Sequence, residues 1–269
     1  MAAISLTTGT TYTQNFDTLA SAGTSSTLPD GWVFSEAGTN ANATYTAGTG
    51  SGTAGDTYSF GAASATERAL GGLQSGSLIP TIGASFVNDT GATINALNIA
   101  FSGEQWRLGT LSRADRIDFQ YSLDASSLTT GTWTDVNALD FTAPTTTGTV
   151  GALDGNAVAN STAISNSIAG LSIPAGATVW IRWTDFNASG SDDGLAIDNF
   201  SITPVTGASP TAGVTITQSG GNTSVVEGGA SDSYTVVLNT QPTADVTITI
   251  GNTAQTTTSP TTITFTPAK

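Results

Sequence analysis

Carboxylate and amide oxygens are the main ligands this chain can offer. Its 269 residues include 20 Asp and Glu, 6 Lys and Arg, and neither His nor Cys. The most unusually placed carboxylate is Asp198, in the run Leu195-Ala196-Ile197-Asp198-Asn199-Phe200. If that run is a strand, alternation puts Ala196, Asp198, Phe200 and Ile202 on one face. A carboxylate on an apolar face is costly unless it is paired or bound to a metal. Calcium takes about six to eight oxygens, and Asp17, Asp56, Asp192 and Asp193 are the candidates to complete a site with Asp198. The competing reading is structural, with Asp198 paired to Arg182 or capped by backbone N–H groups. Asp192-Asp193-Gly194 also reads by itself as a solvated turn.

Several chemistries are excluded outright. Without imidazole or thiol there is no Ser-His-Asp or Cys-His nucleophile, no zinc site of the usual Cys/His kind and no disulfide. Glu104 and Asp185 could be offered as an acid/base pair for glycoside hydrolysis, but that needs carboxyls about 5–9.5 Å apart, and nothing in the sequence sets such a spacing. The chain is therefore expected not to be an enzyme. Trp106, Trp180 and Trp183 are either a platform for stacking sugars or aromatics of a core.

Charge narrows the partners. The formal net charge is −14, and the lone lysine is the last residue, Lys269. With no basic stripe, nucleic acid is repelled and anionic membrane surfaces are disfavoured. No stretch approaches the roughly 20 apolar residues that span a bilayer, so no membrane insertion is expected. Met1-Ala2-Ala3-Ile4-Ser5 lacks the basic and apolar parts of a secretory signal. The Thr-, Ser-, Gly- and Asn-rich composition nevertheless predicts an extracellular or cell-surface bacterial protein, exported without an N-terminal signal peptide. Scattered carboxylates suit divalent cations, and they suit solubility equally.

The elements that must position these side chains read as strands. Leu97, Ile99 and Phe101 alternate with polar or small residues, as do Ile117, Phe119, Tyr121 and Leu123. This is the period-2 pattern of a strand with one face buried. Residues 178–186 and 195–203 read likewise, and turn-rich tracts at 48–55 and 143–160 separate them. No helical periodicity is convincing. The fold class is all-β, a jelly-roll β-sandwich over residues 1–204, then a linker at 205–210. Residues 211–269 give strands near 213–217, 232–238, 245–250 and 263–266. A sandwich usually needs about seven strands and about 100 residues, so this second, immunoglobulin-like unit is expected to be incomplete. Its open edge, with Val236, Leu238, Ile248 and Ile250, predicts self-association.

Two resemblances follow from particular runs. Asn15-Phe16-Asp17-Thr18-Leu19, Leu28-Pro29-Asp30-Gly31-Trp32, the run from Gly55 to Gly61, Gly103-Glu104-Gln105-Trp106-Arg107 and the run from Asp192 to Phe200 resemble an N-terminal module of very large secreted bacterial proteins. The early Phe-Asp and closing Ala-Ile-Asp-Asn-Phe are also similar to MAM and laminin-G-like jelly rolls. The resemblance implies neighbouring first and last strands, with carboxylates near them that hold calcium. Val225-Val226-Glu227-Gly228-Gly229 and Ser233 to Leu238 resemble Calx-beta-like domains. There acidic loops bind calcium. Few acids follow Glu227 here, which favours a stalk or spacer role.

The expected function is a non-catalytic, calcium-stabilised module of a secreted or cell-surface protein, serving adhesion, surface presentation or self-assembly. The alternatives are a carbohydrate-binding module with a glycan or surface ligand, or the accessory region of an extracellular nuclease or phosphatase whose catalytic domain lies beyond Lys269.

Overall fold

The computed structural model describes residues 2–207, 213–240, 242 and 244–267. Among the described residues, strands make up 46%, and the only helical turns are two short 3-10 segments, Asn137–Leu139 and Ser219–Gly221. No helix among them is long and apolar enough to cross a membrane. The chain divides into two compact units, Met1–Gly207 and Ala208–Lys269.

The first unit is a β-sandwich of a seven-stranded and a nine-stranded sheet. In the seven-stranded sheet, Ile79–Asn88 pairs antiparallel with Thr178–Asp185, which pairs antiparallel with Arg116–Ser122. Trp32–Ala37 and Ile4–Leu6 share the outer edge of Ile79–Asn88. The nine-stranded sheet is built around Gly194–Thr206, flanked on one side by Ile94–Leu108 and on the other by Ala69–Leu73 and the early strand Tyr12–Gln14. The early strand Tyr12–Gln14 is therefore a neighbour of the closing strand, whereas the first strand, Ile4–Leu6, lies in the other sheet. The closing strand runs through Thr206, so Val205 and Thr206 belong to it rather than to a linker; residues 208–210 of the expected linker lie outside the described residues.

Between the sheets sits an aromatic core. Trp183 lies 5.0 Å from Phe119, 5.2 Å from Phe101, 5.8 Å from Phe200 and 6.2 Å from Trp32, ring centre to ring centre. The ring of Phe141 lies so close to Gly103 that a Cβ there would stand 2.2 Å from it, which explains a glycine inside a long strand.

A second, smaller apolar cluster lies on the other face of the nine-stranded sheet. It comprises Tyr58, Phe60, Ala69, Leu73, Trp106 and Ala196. The closing strand serves both clusters, with Leu195, Ile197, Phe200 and Ile202 in the main core and Ala196 in the smaller one. Strict alternation would have put Ala196, Asp198, Phe200 and Ile202 together, and it fails at one residue. Asn199 adopts φ 48°, a left-handed conformation that Asn tolerates better than most residues. The pairing with Ile94–Leu108 shifts register between Asp198 and Ser201. Such a bulge turns the strand over, so Asp198 stays with Ala196 on the outer face while Phe200 and Ile202 enter the core.

The second unit contains two antiparallel pairs, Val214–Gln218 with Tyr234–Leu238 and Val246–Thr249 with Thr262–Phe265. These strands match those expected from the sequence to within two residues. None of its described residues is buried.

Candidate functional site

Three carboxyl groups meet beneath loops on the outer face of the nine-stranded sheet. Asp198 comes from the closing strand, and Glu104 from the adjacent strand Ile94–Leu108, where it pairs with Ala196. Two residues from Glu104 along the same face, Trp106 donates its indole N–H to Glu104 Oε2 at 2.9 Å. Glu67 arrives on the loop that precedes Ala69–Leu73. Carboxyl oxygens of Glu67, Glu104 and Asp198 lie within 4.8 Å of one another.

The surrounding chain excludes water from the centre. Glu104 and Asp198 are each 3% exposed. Asn156 donates from its side chain to Glu67 Oε2 at 2.6 Å, and Leu153 N–H binds Trp106 O at 2.8 Å, which ties the 153–156 segment over the cluster. Gly155 lies flat on the indole; a Cβ there would sit 2.4 Å from Trp106 Nε1. Asp198 Oδ2 accepts 2.7 Å from the Asn199 side-chain amide, while Asp198 Oδ1 and Glu67 Oε1 are buried with no hydrogen-bond partner.

Among the described residues no ion pair reaches the cluster, although the neighbouring Arg68 guanidinium feels the charge of Glu67. The ion pairs among those residues belong to Arg113 and Arg116. Arg68 follows Glu67 and is 1% exposed, but its guanidinium donates to Ser59 Oγ and to the carbonyls of Ser59, Gly48 and Ala62. Burial therefore pushes Glu104 up to about 8, with Asp198, Glu67 and Asp154 adding to the rise and the Trp106 N–H opposing it. Burial likewise pushes Asp198 up to about 7, helped by Glu67 and Asp17 and opposed by Asn199. Two buried carboxyls that resist ionisation, with a third carboxyl beside them, can be neutralised by protons or by a cation.

The five aspartates singled out in the sequence do not form one site. Asp17 stands beside the cluster but is exposed, accepting from Arg68 N–H at 3.3 Å and Asn15 Nδ2 at 2.5 Å. Asp56 accepts from Thr46 Oγ1 at 2.6 Å, and burial and neighbouring Glu36 raise its pKa. It is not among the charges acting on Asp198. Asp192 and Asp193 belong to a separate acidic group with Asp115 and Asp185. Arg182 is not a partner of Asp198 either; it donates to Gln120 Oε1 and Leu128 O and lies 4.0 Å over the Trp133 ring.

Other expectations change too. Glu104 is influenced by Asp198, Glu67 and Asp154, and Asp185 by Asp115, Asp192 and Asp193, so the two carboxyls named as an acid/base pair sit among different neighbours. Trp106 and Trp183 are 2% and 1% exposed and sit in two different apolar clusters, so with half-buried Trp180 they form no stacking platform. The residue that the sequence hid is Glu67. It sits in a small-residue loop tract with no alternation, and only the strand pairing brings it to Asp198.

No family model and no curated protein matches the chain. Among solved structures it is similar to the enzymatically active domain of bacteriophage CBA120 tailspike protein 4, at 8% identity and a TM-score of 0.35, over 65% of this chain and 20% of that one. The chain thus spans about a fifth of that tailspike chain. It is also similar to TmCBM61 in complex with β-1,4-galactotriose, at 14% identity and a TM-score of 0.30, over 53% of this chain and 74% of that one. A third likeness is to the K1 cleaved adhesin domain of Lys-gingipain from Porphyromonas gingivalis W83, at 14% identity and a TM-score of 0.33, over 72% of this chain and 98% of that one.

Proposed function

We propose that the first unit is a non-catalytic, calcium-stabilised β-sandwich module of a secreted or cell-surface protein, serving attachment or presentation. The observation that carries this reading is the cluster of buried Glu104 and Asp198 with half-buried Glu67, with Asp198 Oδ1 unpartnered and no ion pair to it among the described residues. Calcium suits such a site because it takes carboxylate oxygens in flexible geometry. Asp17, at the rim, adds negative charge. Lying under the 153–156 segment and lacking any His or Cys nearby, the cluster favours holding an ion over turning over a substrate.

Calcium bound only to the folded state at a hundredfold excess over its Kd stabilises by about 2.7 kcal/mol, roughly 5–10 °C in Tm for a unit of this size. Thermal melting with calcium and with chelator should show that shift in the wild type and lose it in Asp198→Asn and Glu104→Gln. No shift in the wild type, or the same shift in both variants, would overturn the reading.

We further propose that the second unit takes part in association. Its two strand pairs bury none of their described residues, and Val214, Ile216 and Val237 are exposed at 47%, 60% and 56%. Unpaired strand edges recruit further strands. Light scattering should show mass rising with concentration for the full chain, and a constant monomer mass once residues 208–269 are deleted. A full chain that stays monomeric at high concentration contradicts this.

A further inference from the structure

A groove of about 360 Å³ opens in the first unit where three strands of the nine-stranded sheet have neighbouring ends. Gly194, which begins the closing strand, pairs with Leu73 at the end of Ala69–Leu73 and with Arg107 near the end of Ile94–Leu108. Gln74 and Gly76 just past the first end, Arg107 at the second, and Asn187 and Asp192 ahead of the third all line this one space. Its size falls within the range of small-molecule sites, about 300–1,000 Å³.

The walls are fixed by the fold. Thr110 Oγ1 donates to Ser191 O at 3.0 Å and accepts from Ser191 N–H at 2.9 Å. Gly109 packs so tightly beneath this loop that a Cβ there would stand 2.1 Å from Asp192 O. On the Gln74 side, Ser75 and Leu78 exchange backbone hydrogen bonds at 2.9 and 3.3 Å, closing the turn that carries Gly76. A preformed groove spares a ligand the cost of ordering loops.

Four side chains bring unused hydrogen-bonding capacity to it. Gln74 is 4% exposed, and its Oε1 is buried without a partner. A buried acceptor left unsatisfied costs stability, and a ligand that donates to it offsets that cost. Asp192 accepts from Ala188 N–H at 3.2 Å on Oδ1, and its Oδ2 accepts from no described residue. Arg107 donates from Nη1 to Gly50 O at 3.0 Å, which leaves the rest of its guanidinium without a partner among the described residues. Asn187 is exposed, and its side-chain amide bonds to none of them.

The charge and the lining select the ligand. Arg107 and Asp192 bring one positive and one negative charge to the groove, and the chain as a whole carries −14, so an anionic ligand is disfavoured. Two amides, a carboxylate and a guanidinium supply donors and acceptors together, which suits a ligand whose groups both donate and accept. Hydroxyls do both. Val150, 45% exposed, adds apolar surface for C–H groups, and no aromatic ring lines the groove.

We propose that this groove binds a neutral oligosaccharide, with Gln74 Oε1 and Asp192 Oδ2 accepting from sugar hydroxyls while Arg107 and Asn187 donate to them. The proposal rests on reading the unit as an attachment module, and it does not depend on an ion at Glu104.

The test applies the labelled full chain to a printed array of neutral, sialylated and sulfated oligosaccharides, with short peptides printed alongside. Neutral oligosaccharides should be captured, and their signal should fall about tenfold or more in Gln74→Leu, Asn187→Ala and Gly76→Trp. Asn187 is exposed and a Cβ at Gly76 meets nothing within 4 Å, so neither substitution should disturb the fold. Gln74→Leu keeps the shape of the side chain and removes the unpaired oxygen, so its Tm should hold or rise while binding is lost. A purely structural glutamine would instead lower the Tm when replaced. Failure to capture any neutral oligosaccharide overturns the proposal, as does capture that survives both Gly76→Trp and Gln74→Leu. Capture of acidic glycans alone, or of peptides alone, overturns it equally. Melting in calcium reads the ion and the array reads the sugar, so either reading can fail without the other.

Discussion

Stripped of divalent cations, the first unit is expected to lose stability as pH rises from about 5 to about 8. Glu104 moves from an ordinary 4.5 to about 8 and Asp198 from 3.8 to about 7 in the folded chain, chiefly through burial. Both pKa values are raised, so between the unfolded and folded values the native state holds protons that the unfolded state has released. Their contribution is intact below the unfolded pKa and drains away as pH climbs through the folded one. The slope is about 1.4 kcal/mol per pH unit for each such proton, an order of 2–5 kcal/mol over the interval for two coupled groups. Asp192 and Asp193, both pushed up to about 6, and Asp185 bend the curve the same way. Denaturant melts at pH 5, 6, 7 and 8 in chelator check this. The Glu104→Gln, Asp198→Asn double variant should keep only the slope of the other acids. Saturating calcium should flatten the wild-type curve by replacing the protons. A wild-type stability that rises over this range in chelator would contradict the burial of these two carboxyls.

The largest effect of a single truncation is expected at Trp183. Its ring touches aromatics of both sheets, Phe119 and Trp32 from one and Phe101 and Phe200 from the other. Trp183→Ala should cost about 3–5 kcal/mol, combining lost transfer energy and a cavity. For a unit of this size that is a drop in Tm of roughly 6–20 °C. Trp183→Phe should cost much less, because it keeps a ring in the cluster and removes a buried indole N–H that has no partner. If Ala and Phe substitutions lower Tm equally, the core does not turn on this ring.

The fold was legible where one face of a strand is wet. Residues 97–101 and 117–123 alternate, and their strands appear as Ile94–Leu108 and Arg116–Ser122. Ile79–Asn88 was not legible. It is buried along nearly its whole length, so no polar face marks it as a strand. Ser161–Ile173 was missed for the opposite reason. It is mostly exposed and polar, and Gly170 at φ 75° breaks its pattern.

The site was half legible. A carboxylate set within an apolar strand identified Asp198, although Ala196 and Ile197 face opposite clusters and the bulge at Asn199 misplaced Phe200 and Ile202 relative to it. Its partners depend on register. Glu104 is reached because it pairs beside Ala196, and Glu67 because a loop with no sequence signature passes overhead. Asp192 and Asp193 carried the signal of a solvated turn, yet both are buried, and Asp193 accepts from Gly109 N–H and Gln105 Nε2. Asp56 was a true carboxylate in the wrong neighbourhood, held by Thr46 and Thr57.

The most direct measurement is an anomalous difference map from crystals of the full chain grown in calcium chloride. The expected result is a peak about 2.3–2.6 Å from oxygens of Glu104 and Asp198, with Glu67 drawn to the same ion. A map with no peak there, and the Glu104 and Asp198 carboxyls joined by a short O–H···O hydrogen bond, would mean that protons alone neutralise the cluster.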